Sequence, residues 1–152
     1  MEELNLEALK GEWVGVEFDT AEFEVKEAAM VDWATAVGET DRRFTDPDHS
    51  DFQAHPTFTT QFVSRRVLPK GFPRLGRGGF DGGKCVTLLV PVRAGDRLTG
   101  KSMIADLYEK TGRSGRMIFL VHRMSFHNQA GERVSTVDWK LVQQTREPKV
   151  SG

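Results

Sequence analysis

Three turn signals in the second half of the chain do most to limit what it can fold into. Ala94-Gly95-Asp96, Thr111-Gly112-Arg113-Ser114-Gly115 and Asn128-Gln129-Ala130-Gly131-Glu132 separate four runs of strand composition: Lys84 to Arg93, Arg97 to Glu109, Arg116 to Asn128 and Arg133 to Gln144. Glycine-bearing turns this short join antiparallel neighbours, so a four-stranded meander is predicted. Upstream, residues 4–10 read as a helical turn ended by Gly11, and Phe18 to Val25 as a strand in which Phe23 and Val25 alternate with Glu22 and Glu24. From Lys26 the period changes: Ala29, Met30, Trp33, Ala34 and Val37 recur every three or four residues, which predicts an amphipathic helix stopped by Gly38. A second helix is predicted over Pro56 to Leu68, with Phe58, Phe62, Val63 and Val67 as its buried stripe, and a Gly- and Pro-rich loop over Pro69 to Gly83. An antiparallel sheet with helices on one face is an α+β arrangement.

A chain of 152 residues suits one domain, 1–152, with its core over about 12–145 and a frayed tail after Thr145. No run reaches the roughly 18 apolar residues of a membrane helix, and Met1-Glu2-Glu3-Leu4 lacks the basic and apolar regions of a signal peptide; a cytoplasmic location is expected. Cys85 is the single cysteine, which excludes an internal disulfide framework, and ahead of an apolar run it is expected to be buried and inert. Net charge is -1, yet residues 1–60 hold 15 acidic and 4 basic side chains while residues 61–152 hold 7 and 17. Such asymmetry suits a polyanionic ligand, a charged partner, or two halves that pack together. The basic residues are scattered without a recognition helix or stacking motif, so nucleic acid is not an expected partner.

Gly78-Gly79-Phe80-Asp81-Gly82-Gly83-Lys84-Cys85 nearly matches a phosphate-binding loop, but Cys85 stands where a hydroxyl is needed and a strand, not a helix, follows. His49, His55, His122 and His127 have no metal spacing, and no metal is expected. His49 falls in the turn-rich Asp46 to Asp51 stretch and is expected to be solvated; His122 and His127 are expected on opposite strand faces. His55 stands just before the second predicted helix, where a capping role and a ligand-binding role remain open. Glu39 and Asp41 follow a helix end and read either as a solvated acidic loop or as chemistry, with Arg42 and Arg43 beside them.

Four strings in order, Trp33-Ala34-Thr35-Ala36-Val37-Gly38-Glu39, Ala54-His55-Pro56-Thr57-Phe58, Val90 to Leu98, and His127 to Glu132, resemble the MaoC-like dehydratases, in particular their N-terminal-half, fatty-acid-synthase-type branch. The resemblance implies a hotdog fold, an antiparallel sheet wrapped around a long central helix, here Pro56 to Leu68, that works in pairs. Active members of the family carry an aspartate directly after the glycine and a histidine five positions later; this chain has Glu39 and Phe44 there. A phenyl ring cannot carry a proton, so the family dyad is absent. The resemblance thus implies a non-catalytic, substrate-binding subunit of a heteromeric (R)-specific 2-enoyl-CoA hydratase or 3-hydroxyacyl-thioester dehydratase, beside a catalytic MaoC-like subunit. Phe44, Thr57 and Phe58 would line the acyl site with His55 at its rim, a coenzyme A or carrier-protein thioester would be the ligand, and no cofactor is implied. Basic residues of the second half would contact coenzyme A phosphates. The alternatives are a self-sufficient homodimeric hydratase using Glu39 with His55 or His49, an acyl-thioester-binding or regulatory hotdog without turnover, and a thioesterase. The acyl group could be a fatty chain, a steroid side chain or a small branched acid.

Overall fold

The computed structural model describes residues 4–113 and 115–145; the predicted frayed tail lies outside the described residues. Helix α1 (Leu6–Trp13) is capped by Asn5, whose side chain accepts from the Ala8 amide at 3.0 Å, and it runs through Gly11 instead of ending there. Strand β1 (Glu17–Glu24), helix α2 (Glu27–Ala36) and the single turn α3 (Arg42–Thr45) follow. A 3-10 turn at Phe58–Gln61 then precedes four strands: β2 (Gly78–Leu88), β3 (Arg97–Gly112), β4 (Gly115–His127) and β5 (Arg133–Gln144).

All strands join one antiparallel sheet in the order β1-β3-β4-β5-β2. The last three strands form the expected meander. The first of the predicted four does not: β2 begins at Gly78 inside the predicted loop, ends at Leu88, and pairs with β5 across the sheet. The Ala94-Gly95-Asp96 turn, with Gly95 at φ 86°, therefore leads into β3 without making a hairpin. The near-phosphate loop lies within β2, where the register shifts between Asp81 and Lys84, and Cys85 is exposed on this edge strand instead of buried.

Strand registers put Asp19, Ala21 and Phe23 on the same inner face as Leu98 to Ile104 at alternate positions, Ile118 to Phe126, and Val137 to Leu141. Two apolar clusters occupy that face. One joins Val25, Met30, Phe58, Leu98, Met124, Phe126 and Val137, with α2 laid against it; the other joins Ile104, Leu107, Ile118 and Leu120 under α1 and Phe72. Between them runs a polar row, Asp19, Ser102 and His122, each buried. Val37, expected on the buried stripe of α2, is 47% exposed because that helix ends one residue earlier.

The predicted helix from Pro56 to Leu68 does not form. After one 3-10 turn the chain becomes irregular, and Val63 and Val67, expected in a buried stripe, are exposed. Thr57, Thr59, Thr60 and Val63 are β-branched and lower helix propensity. The buried Asp19 carboxylate also accepts from the Arg65 and Arg66 amides at 2.9 and 3.3 Å, and so takes up donors a helix would have used. The hotdog sheet is retained, and the helices that pack on its face are α2 and α1. The charge asymmetry is partly internal: Asp19 pairs with Arg65, Asp51 with Arg93, and Glu22 with Arg97, each bridging the two halves.

Two predictions follow from this packing. A Cβ at Gly100 would lie 2.8 Å from Met124 Cε and 3.0 to 3.1 Å from the Phe23 and Phe126 rings. Strand propensity alone favours Gly100→Val, but overpacking makes it destabilising by about 1–3 kcal/mol in a denaturant titration. Burial, reinforced by the charge of Lys84 and opposed by Asp19 and Asp138, holds the His122 pKa below 6.5. The native ring is neutral while the unfolded chain gains a proton, so its contribution is complete above pH 6.5 and declines as pH falls toward the folded value. Urea midpoints should therefore drop between pH 8 and 5.5, and drop less in His122→Gln; parallel slopes would exclude His122 as the source.

Candidate functional site

The site is built where α2 ends. Gly38 adopts φ 76°, its amide bonds to Thr35 O, and the Glu39 amide reaches Ala34 O at 2.9 Å. This left-handed helix stop turns the chain so that Glu39 opens the following loop. Asp41 caps α3 by accepting from the Arg43 amide at 2.9 Å and pairs with the Arg43 guanidinium at 2.8 Å, while Arg42 pairs with Asp46. These charges therefore organise the loop. On the other side, the Gln53 amide bonds to Arg43 O and the Ala54 amide to Val92 O, which set His55 opposite Glu39.

Glu39 and His55 meet directly, with Oε2 and Nε2 3.2 Å apart and side chains 27% and 17% exposed. The other Glu39 oxygen accepts the amides of Thr40 and Asp41, both at 2.9 Å. The Asp41 amide is the main reason that the Glu39 carboxyl titrates below its usual 4.5; burial opposes this, and Thr40 and His55 add to it. His55 Nδ1 receives the Thr57 amide at 3.2 Å and lies 2.8 Å from Thr57 Oγ1, which itself accepts from the Trp33 indole at 3.0 Å. With the indole as donor, the Thr57 hydroxyl hydrogen turns to His55 Nδ1, and the imidazole proton sits on Nε2, directed at Glu39.

Each polar atom of the pair is thereby engaged within the chain. A water-activating dyad needs a carboxylate and an imidazole that share one water and keep a free lone pair for its proton. Here the imidazole has neither a spare acceptor nor a spare proton.

The ring of Phe44 is 8% exposed and packs edge-on to His55 at 5.4 Å between centroids. Phe58 is 1% exposed and belongs to the core cluster of Val25, Met30 and Leu98. The structure thus gathers Phe44, His55 and Thr57 around Glu39 and leaves Phe58 as packing. His49 is half-buried instead of solvated, with Nδ1 accepting from the Asp51 amide at 3.0 Å, and does not join the pair. Trp33 is the member that pattern reading treated only as core; a part-buried indole N–H needs an acceptor, which was the available signal. Among the described residues no group of three or more His, Cys, Asp or Glu could hold a metal ion, and no helix is long and apolar enough to cross a membrane.

A five-stranded antiparallel sheet of this order matches the hotdog fold of MaoC-like dehydratase structures. A crystal structure of the MaoC-like dehydratase from Rhodospirillum rubrum is similar to this chain with a TM-score of 0.62 and 27% identity, covering 96% of this chain and 100% of that one. The HadBC 3R-hydroxyacyl-ACP dehydratase complex from Mycobacterium tuberculosis shares the fold, with a TM-score of 0.62 and 22% identity over 85% of this chain and 96% of that one. Residues 12–137 match the FAS1-like, dehydratase domain region, and the chain belongs to that family of hydratases and dehydratases. A UPF0336 protein of Streptomyces coelicolor is 32% identical over 140 residues, 84% of this chain and 89% of that protein.

The Glu39–His55 contact should appear as energetic coupling. Glu39→Ala and His55→Ala each lower the melting temperature at pH 7, and the double variant loses less than the sum of the two. Strict additivity would show that the pair is not linked.

Proposed function

We propose that this chain is the non-catalytic, substrate-binding subunit of a heteromeric (R)-specific 2-enoyl-thioester hydratase or 3-hydroxyacyl-thioester dehydratase. One observation carries the reading: Phe44 is buried at the position of the family histidine, while the nearest imidazole, His55, is spent on Glu39 and Thr57. Hydration puts a water oxygen on C3 of the enoyl group and a proton on C2, which needs a base for the water and an acid for C2. Both ring nitrogens of His55 are already engaged, which leaves Glu39 without a free acid beside it, so a catalytic MaoC-like partner would supply both groups. The chain's contribution would be a wall against the thioester, with Phe44 and Thr57 against the acyl group and His55 at the rim. HadBC, a complex of dehydratase subunits that shares this fold, supports a paired arrangement. The substrate is a coenzyme A or carrier-protein thioester, no further cofactor takes part, and the cytoplasm is the place of action.

A second reading rests on the 3.2 Å contact itself. A carboxylate beside an imidazole is a general-base pair if the imidazole rotates away from Thr57, and a homodimer would then suffice.

Crotonyl-CoA hydration by the purified chain, alone and co-expressed with a MaoC-like subunit that has both aspartate and histidine, decides between them. The expected result is turnover only in the co-purifying heteromer, with Glu39→Gln in this chain changing kcat by less than about threefold. Turnover by the chain alone, abolished by Glu39→Gln, would establish the second reading and sink the first.

A further inference from the structure

A buried imidazole on the inner face of the sheet has no part in the site built on Glu39. His122 lies on β4, the strand between β3 and β5, and is 3% exposed. Phe18 and Trp139 clamp its ring edge-on, with centroids 5.8 and 6.3 Å away. An imidazole on an apolar face is costly unless its nitrogens are met. The ring bonds to its own main chain, which assigns the proton to Nδ1 and leaves the Nε2 lone pair facing Ser64 Oγ at 3.4 Å.

Ser64 sits on the segment that replaces the expected helix, and this strap is tied down on both sides of it. Phe62 stacks on Phe23 with ring centroids 4.6 Å apart, and Asp19 accepts the Arg65 and Arg66 amides at 2.9 and 3.3 Å. The serine is thereby held against His122, half-buried, while Val63 and Val67 beside it are 63% and 39% exposed. Its hydroxyl donates to Arg66 O at 2.6 Å; rotation about the Cβ–Oγ bond turns that hydrogen to Nε2 with no heavy atom moving. A nucleophile and a base at loose hydrogen-bond distance, with the base oriented by other groups, is the arrangement of an activated serine. The surrounding charges suit a base that is neutral at rest: burial and Lys84 of β2 oppose a proton on the ring, while Asp19 of β1 and Asp138 of β5 favour one.

We propose that Ser64 is an acylatable nucleophile with His122 as its general base, which gives this chain a hydrolytic activity toward short-chain acyl esters and thioesters. The activity is separate from the hydratase reading and needs no partner subunit. Ser64 Oγ bonds to the acyl carbonyl carbon and its proton passes to His122 Nε2. The carbon–oxygen or carbon–sulfur bond of the donor then breaks, and the leaving alcohol or thiol takes that proton. Water attacks the acyl-serine with His122 again as base, which releases the carboxylic acid and restores the hydroxyl. Val63 and Val67 offer apolar contact to a short acyl chain, and Lys84, which donates to the Thr60 carbonyl at 2.8 Å, adds positive charge for the oxyanion.

The test is p-nitrophenyl butyrate hydrolysis by the purified chain, together with labelling by a fluorophosphonate and peptide mapping of the adduct. Wild type should release a burst of about one equivalent of p-nitrophenolate per chain and carry one phosphonate, on Ser64. Ser64→Ala should remove both, and His122→Gln should slow the labelling about a hundredfold or more while circular dichroism stays native. Ser50→Ala, on an exposed serine outside the strap, should change neither. The wild-type labelling rate should be level above pH 6.5 and fall below it as His122 takes a proton, a readout that stands even if His122→Gln does not fold. No adduct on Ser64 overturns the proposal, as does labelling that His122→Gln leaves unchanged or a rate that climbs steadily with pH, as hydroxide-driven attack would. Hydrolysis that survives Ser64→Ala and is lost in Glu39→Gln also overturns it and moves the activity to the Glu39 pair. Crotonyl-CoA hydration by a heteromer containing Ser64→Ala is read apart: turnover there keeps the hydratase reading whatever becomes of Ser64, and its absence in every heteromer sinks that reading alone.

Discussion

The buried carboxylate of Asp19 is the point around which the inner face of the sheet is arranged. A charge on an apolar face is costly unless several donors meet it, and Asp19 is met by two backbone amides and the Arg65 guanidinium. That requirement draws in the 62–68 segment, and the segment cannot serve Asp19 and remain a helix. Ser64 is then brought within 3.4 Å of His122, and the polar row divides the core into two clusters. α2 covers one cluster and α1 the other. The architecture stays a hotdog because the antiparallel sheet, with its long β3–β4–β5 meander, carries the fold and the helices cover its inner face.

The candidate site follows the same logic of satisfaction. Glu39, His55, Thr57 and Trp33 close a chain of hydrogen bonds in which every donor has an acceptor. Such closure stabilises the loop after α2 against the segment before the 3-10 turn, and it occupies both ring nitrogens of His55. At the end of the packed helix α2, the residues of the loop and of the 55–57 segment hold one another.

Parts of this arrangement were legible in the sequence. The strand β5 was bounded correctly, β3 and β4 within a few residues, and α2 by its three- and four-residue period, because alternation and glycine turns are local signals. The absence of an imidazole at Phe44 was equally plain. Asp19 was visible in principle, since it falls on the same parity as Phe23 and puts a carboxylate on the apolar face of β1. Its meaning was not visible, because its partners lie 46 and 47 residues away. The same holds for Cys85: its apolar neighbours suggested burial, but β2 lies at the sheet edge, and edge or centre is a matter of pairing.

By itself, then, the sequence determined an α+β chain with an antiparallel meander, a helix stopped just before Gly38, and a following loop with Glu39 and Phe44. Those properties depend on residue type and on spacings of two, three or four positions. Only the tertiary structure decided that β2 crosses to β5, that Pro56 to Leu68 forgoes helix for a strap on Asp19, and that His55 closes on Glu39. Each of those depends on which distant group satisfies a buried donor or acceptor, and that competition has no signature within a short window of sequence.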